Sequence, residues 1–260
     1  MELPTKEPKI GDAFGQILTQ CWAAGAASWS AVEIIERDDG RIDAHDASTY
    51  FAEPERWAAL EQWAWERAAA GRILDVGCGG GRHAVPWAAR GLDVMGLDAS
   101  AGTVKVMRDR GVENVVGSVP DMPPGLGEFD TVTLFGNNVG LLGSLRTAPR
   151  VLEALATVTR SGGRLIGTGT DPGGDDSVHA AYRAWNVGRG HSPGQARIRV
   201  RSADIATPWF DYWFPTSEEI TEVITDSTCW ALEELHRSPD GPGYAVVLLR
   251  RDHQTGAGQS

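Results

Sequence analysis

Cysteine is scarce in this chain. Cys21, Cys78 and Cys229 are the three in 260 residues, far apart and without a C-x-x-C pair. That odd, scattered set argues against a disulfide framework or a zinc site, and no other metal-ligand cluster stands out. Positive charge is also short. Lysine and arginine number 24 against 35 acidic residues, for a formal net charge of −11. A surface built to hold DNA or RNA phosphates carries the opposite balance, so nucleic acid is not the expected partner. No apolar run approaches the ~20 residues that cross a bilayer. The amino-terminal MELPTKEPKIGD lacks the apolar stretch of a signal peptide. The expectation is a cytoplasmic protein with reduced thiols and no membrane partner.

Glycine is abundant at 32 residues, and the chain is 42% hydrophobic, enough for one α/β core. The most informative stretch is Arg72–Ser100, RILDVGCGGGRHAVPWAARGLDVMGLDAS. Ile73, Leu74 and Val76 form a short apolar run, as in a strand buried on both faces of a parallel sheet. Gly77, Gly79, Gly80 and Gly81 allow a sharp turn that brings bare amides close to a ligand. A helix over His83–Arg90 ends at Gly91, and Leu92–Leu97 forms a second strand with Asp98 at its carboxyl end. Asp98 lies about 20 residues past the glycines, where nucleotide-binding βαβ units place the acid that meets a ribose diol. Ser100 caps the helix that follows. A dinucleotide fingerprint would need glycine where Arg82 stands, so the spacing disfavours that cofactor class.

Asp75-Val76-Gly77-Cys78-Gly79-Gly80-Gly81, with Asp98 beyond it, resembles motif I of the class I S-adenosylmethionine-dependent methyltransferases. The resemblance covers about Gly71–Arg250. It implies a Rossmann-like α/β fold: a seven-stranded, mostly parallel sheet with helices on both faces and an antiparallel last strand. The implied cofactor is S-adenosylmethionine, with S-adenosylhomocysteine as product. Its expected binding residues here are Asp75, Gly77, Cys78, Gly79, Gly81, Asp98, Ala99 and Ser100. In the loop Gly117–Pro123 the family holds the adenine, which assigns that duty to Val119 and Asp121. Phe129–Phe135 reads as a strand running into Gly136-Asn137-Asn138-Val139-Gly140, at the sheet end where ligands bind. Phe135 and Asn137 are assigned to cofactor and Asn138 to acceptor, with ordinary turn chemistry as the alternative for the asparagines. The D/N-P-P-Y and proline-cysteine signatures of nucleic-acid methylation are absent from this position.

Three regions surround that core. Residues 1–70 are expected to form a helical lid: a helix over Ala13–Ala27, a polar loop at Asp38–Asp46, and a helix carrying Trp57, Leu60, Trp63 and Ala64 at helical spacing. In the family such a segment folds over the cofactor, making Tyr50, Phe51 and Trp57 candidates for the acceptor pocket. Residues 71–250 are the catalytic domain, with a cap inserted at about 178–214. The cap holds a helix at Val178–Val187, a glycine-rich loop with His191, and a strand pair, Ala196–Ser202 and Thr207–Phe214. Arg197, Arg199 and Arg201 alternate onto one strand face. Either carboxylates of the protein itself or an acceptor's carboxylate or phosphate would neutralise them. Trp209, Tyr212 and Trp213 are candidates for the apolar wall of the same pocket. A capped helix at Thr216–Thr225 and an antiparallel pair, Trp230–His236 and Gly243–Leu249, complete the domain, and 251–260 reads as a disordered tail.

Transfer from a sulfonium is an in-line displacement in which the protein mainly positions the acceptor and excludes water. A carboxylate acceptor needs no base, whereas a hydroxyl or ammonium benefits from one. His191 and His179, in the cap, are the candidate bases. The expected acceptor is a small molecule or small peptide, with oxygen favoured on the strength of the arginine strand. N-methylation of an amine, or a non-catalytic cofactor-binding subunit, are the alternatives.

Overall fold

A computed structural model describes residues 7–68, 71–172, 177–227 and 229–251. The expected tail therefore lies, from 252 onward, outside the described residues. At the amino-terminal end, β1 (Lys9–Ile10) leads into α1 (Ala13–Ala23). Asp12 caps α1 by accepting from the Gly15 amide at 2.9 Å. β2 (Val32–Arg37) and β3 (Ile42–Asp46) then form an antiparallel hairpin, followed by α2 (Ala59–Arg67). The hairpin stands where a polar loop was expected at Asp38–Asp46 within the helical lid. Asp39-Gly40 supplies its turn, with Gly40 at φ +87°.

The middle of the chain alternates as the apolar runs predict: β4 (Arg72–Val76), α3 (Ala84–Ala89), β5 (Asp93–Asp98), α4 (Ala101–Asp109) and β6 (Glu113–Val116). Next come β7 (Phe129–Leu134), α5 (Ala148–Thr157) and β8 (Thr159–Thr170). β8 begins earlier than Arg164, because Ser161–Gly163 continue the strand instead of ending the helix. The last third holds α6 (Ser177–Gly188), β9 (Gln195–Ser202), β10 (Ile205–Ala206), β11 (Phe210–Trp213), α7 (Ser217–Thr225), β12 (Trp230–Arg237) and β13 (Gly243–Arg250). Thr216 and Glu219 close a reciprocal capping box at the start of α7.

The main sheet has seven strands in the order β12-β13-β8-β7-β4-β5-β6. Strands β4 to β8 are mutually parallel, and β13 runs antiparallel between β8 and β12. Leu74, Val132, Leu134, Leu165 and Leu248 are each at most 1% exposed in its core. Burial of each such side chain contributes roughly 1.5–3 kcal/mol. Strand order reverses between β4 and β7, so a crevice opens at their carboxyl ends.

A second sheet stands over that crevice, ordered β1-β10-β9-β2-β3, with β11 also on β9. Its central joint is antiparallel β2 on β9, pairing Ile34 with Arg201 and Glu36 with Arg199. The amino-terminal segment and the inserted cap, expected as separate pieces, are thus one sheet. α1 ties this lid to the main domain. Asp12 accepts a second hydrogen bond from the Gly102 amide of α4 at 2.8 Å. A Cβ at Gly102 would stand 2.6 Å from the Gly15 Cα, so the two glycines let the helices meet backbone to backbone.

Candidate active site

β4 delivers the glycine turn. Asp75 is 1% exposed, and its Oδ1 accepts from Thr133 Oγ1 at 2.9 Å. Its Oδ2 is buried with no hydrogen-bond partner. Burial pushes this carboxyl above the usual range, with nearby His83 pulling the other way. Gly77 turns at φ +71°, and a Cβ there would collide with the Asn138 side chain. That amide donates to the carbonyls of Val76 at 3.1 Å and Gly77 at 2.9 Å. Asn138 therefore braces the turn, and its Nδ2 is already engaged. Gly79 turns at φ +51° and donates its amide to Asp98 Oδ2 at 2.9 Å. Asp98 Oδ1 accepts from the Ser100 amide, and Ser100 Oγ caps α4 at Thr103. Burial raises the Asp98 carboxyl too, against the pull of these amides.

The lid closes on that turn. A Cβ on Gly79 would meet Tyr50, Leu18 and Phe14 at 3.7, 3.9 and 4.0 Å. Phe14 and Tyr50 pack edge to face, with ring centroids 5.1 Å apart. The Tyr50 hydroxyl donates to Glu33 Oε2 at 2.9 Å. Glu33, on β2, is 4% exposed, and burial raises its carboxyl above the usual range while Tyr50 and His45 oppose the rise.

On the far side, β11 sends Tyr212 to the turn after β7, where its hydroxyl donates to the Asn137 carbonyl at 2.7 Å. A Cβ at Gly140 would collide with that ring. Asn137 is held at φ +69°, a conformation asparagine tolerates better than most residues, and its side-chain oxygen accepts from Thr170 at 2.7 Å. Burial raises both phenols, Tyr50 and Tyr212, with Glu33 adding to each, so both remain neutral donors at physiological pH.

Several expected site residues lie elsewhere. Arg199 and Arg201 both bind Glu36, at 2.5 and 2.8 Å, and Arg197 binds Asp211 at 3.3 Å. These are carboxylates of the protein, across the sheet, so the arginine strand is a joint within the lid. Trp209 serves the same joint, under the Arg199 guanidinium at 4.6 Å. Trp213 is fully buried with its indole N–H on Ser192, and Trp57 is 4% exposed with its N–H on the Ala52 carbonyl. Both are core residues.

His179 sits on the outer side of the lid with Nδ1 2.9 Å from Arg37, and His191 is exposed beyond α6. Neither reaches the crevice, which corrects their assignment as bases. Asp121 is exposed and paired with Arg150 at 2.7 Å. Ala99 is exposed, Val119 is half-buried, and Gly81 closes the turn at φ +81°. Cys78 packs its thiol against Gly96, where burial holds it protonated, and Phe135 packs beside His83 and Trp87. For Cys78, then, only the backbone can serve a ligand. Glu33, Phe14 and Leu18 had no sequence signal as site residues, although Asp39-Gly40 between β-branched runs marks the hairpin that places Glu33.

The residues present fit S-adenosylmethionine. Asp98 is a buried carboxylate whose oxygens each keep a second acceptor position for a ribose diol. Gly79 leaves the turn open toward the lid, and the bare Asp75 Oδ2 can take a further donor. Comparison with known proteins agrees. Residues 73–163 match the family model of a methyltransferase domain. A demethylmenaquinone methyltransferase of Renibacterium salmoninarum is 33% identical over 114 residues, covering 43% of this chain and 46% of that protein. The chain thus matches less than half the length of that curated relative. The crystal structure of a SAM-dependent methyltransferase from Bacteroides fragilis, in complex with S-adenosyl-L-homocysteine, superposes with a TM-score of 0.76 at 21% identity. That likeness spans 93% of this chain and 95% of the other. The CcbJ methyltransferase of Streptomyces caelestis gives 0.56 at 16% identity, over 75% and 99% of the two chains. Residues 73–163 thus match a methyltransferase domain, and the chain as a whole shares the fold of S-adenosylmethionine-dependent methyltransferases.

Proposed function

We propose that the protein transfers the methyl group of S-adenosylmethionine to a small-molecule acceptor enclosed beneath the lid sheet. One observation carries this reading: the buried Asp98 carboxylate stands 2.9 Å from the Gly79 amide, at a turn whose open face looks onto Phe14, Leu18 and Tyr50. When bound, the cofactor supplies an electrophilic methyl with its leaving group built in. The chain supplies the rest. Asp98 grips the ribose diol, Asn138 keeps the glycine turn in shape, and the lid's aromatic rings exclude water from the reacting atoms. Supporting a small acceptor, the lid rings stand within 3.7–4.0 Å of where a Cβ on Gly79 would lie, which leaves little room for a macromolecule. The arginine strand no longer argues for a carboxylate acceptor, since Glu36 and Asp211 neutralise it.

The test is calorimetry with S-adenosylhomocysteine, followed by incubation with methyl-labelled S-adenosylmethionine and a metabolite extract. The expected results are binding, label transfer, and a loss of affinity of about a hundredfold in Asp98→Ala, the scale of lost hydrogen bonds to a charged group. Binding without transfer to any acceptor would instead favour a non-catalytic subunit.

A further inference from the structure

Glu33 is the carboxylate that the methyl-transfer reading leaves without a task. It rests on β2 at 4% exposure, bonded to the Tyr50 that lies over Gly79. Tyr50 donates to Oε2, and Oε1 takes no hydrogen bond among the described residues. It lies between the two walls of the site: Tyr50 faces the glycine turn, and Tyr212, whose phenol the Glu33 charge helps to raise, is anchored on the turn after β7. Glu36, three residues along the strand, shows what a structural carboxylate looks like here, with an arginine on each oxygen. Glu33 has no such partner. His45 faces it across the hairpin from β3, Tyr50 and Tyr212 are neutral phenols, and Asp98 lies beyond Tyr50. From β9, Arg199 and Arg201 are spent on Glu36, and α1 carries no charged residue.

A buried carboxylate flanked by Tyr50 and Tyr212, with Phe14 edge-on to Tyr50, is chemistry that selects a cation and repels an acid. Resting on the methyl-transfer reading above, we propose that the acceptor is an amine, whose ammonium binds Glu33 and gives up one proton to it before methylation. The ammonium N–H bond breaks as Glu33 becomes a neutral carboxylic acid. The freed nitrogen lone pair then forms the N–C bond, and the C–S electron pair returns to sulfur. The product leaves as an N-methylammonium and S-adenosylhomocysteine, and Glu33 returns its proton to water. Burial suits Glu33 to this work, because a carboxyl raised toward neutrality is a better proton acceptor than one in free solution.

The experiment uses the intact protein saturated with S-adenosylhomocysteine and two matched probe series: phenethylamine, 2-phenylethanol and phenylacetate; glucosamine, glucose and glucuronate. Calorimetry should show at least one amine binding about tenfold more tightly than its matched alcohol, the scale of one charge-assisted hydrogen bond. In Glu33→Gln, whose amide oxygen still accepts from Tyr50, that preference should vanish while S-adenosylhomocysteine binds as in the wild type. With S-adenosylmethionine, kcat/KM for the amine should fall about a hundredfold, within the range of a lost general base. The rise of the wild-type rate with pH, as Glu33 ionises, should flatten. Glu33→Asp should recover part of both effects.

No preference for either amine, label entering only alcohols or carboxylates, or an unchanged pH profile in Glu33→Gln would overturn the proposal and leave cofactor binding standing. Failure of the wild type to bind S-adenosylhomocysteine would instead reject the methyl-transfer reading itself.

Discussion

At the crevice end of the main sheet, Asp75 and Asp98 are buried against neutral donors, and among the described residues no cation is bonded to either. In the lid sheet, Glu36 is just as enclosed but is bound by Arg199 and Arg201. Their proton affinities diverge accordingly. Burial raises Asp75 and Asp98; it also pushes Glu36 upward, but the two arginines outweigh it and leave that carboxyl below the usual range. A buried charge held by its own counter-ions is a fastener, since its bonding capacity is consumed within the fold. One held only by neutral donors keeps capacity for a ligand, at a cost in stability. Glu33 lies on the lid sheet yet behaves like the crevice acids.

Removing the fastener should have the largest effect on folding. Glu36→Ala leaves two arginines without their carboxylate and should cost about 2 kcal/mol, less than a fully buried pair because Arg201 is a third exposed. The midpoint of chemical denaturation checks the cost. Amide exchange should show β2 and β9 opening while β4, β5 and β7 keep their protection.

Asp75→Asn should do the reverse. The wild-type carboxyl binds its proton more tightly folded than unfolded, so its ionisation erodes stability as pH rises from the ordinary carboxylate range through the raised value. An amide cannot ionise. Its oxygen still accepts from Thr133, so the variant's melting temperature should overtake the wild type's at pH 8 and lose the advantage by pH 4. A variant that is no more stable at pH 8 would show that Asp75 is solvated in the folded protein. Arg197→Ala marks the small end of the scale. Its pair with Asp211 is half exposed, so thermal melting should register at most about 0.5 kcal/mol.

The main sheet was legible because its information is local. A strand, a turn of glycines, a helix and a terminal acid lie within Arg72–Ser100, and β12 pairs with β13 across a short turn. The lid sheet was illegible for the opposite reason. Ile34 pairs with Arg201, and no pattern near either residue names the other. Once that pairing is known, the arginines face Glu36 instead of a substrate. Glu33 was hidden because β2 buries a glutamate on each of its two faces, Glu33 on one and Glu36 on the other, while Val32 is exposed. The histidines failed for a simpler reason, because a cap residue's sequence position does not say which side of the cap it occupies. Asn138 reads as a ligand contact in the turn after β7, and no nearby pattern shows that its Nδ2 reaches back to the carbonyls of the glycine turn.

The β2–β9 joint also bears on how the protein is made. As the chain leaves a ribosome, β2 and β3 emerge early, and β9 follows more than 150 residues after β2. During that interval the main sheet strands β4 to β8 can assemble, while β2 waits with one edge unpaired. Closing so long a loop is slow, although its entropy grows only gently with length. Roofing the crevice is therefore a late event in synthesis, and Asp75 and Asp98 meet solvent before they meet the lid.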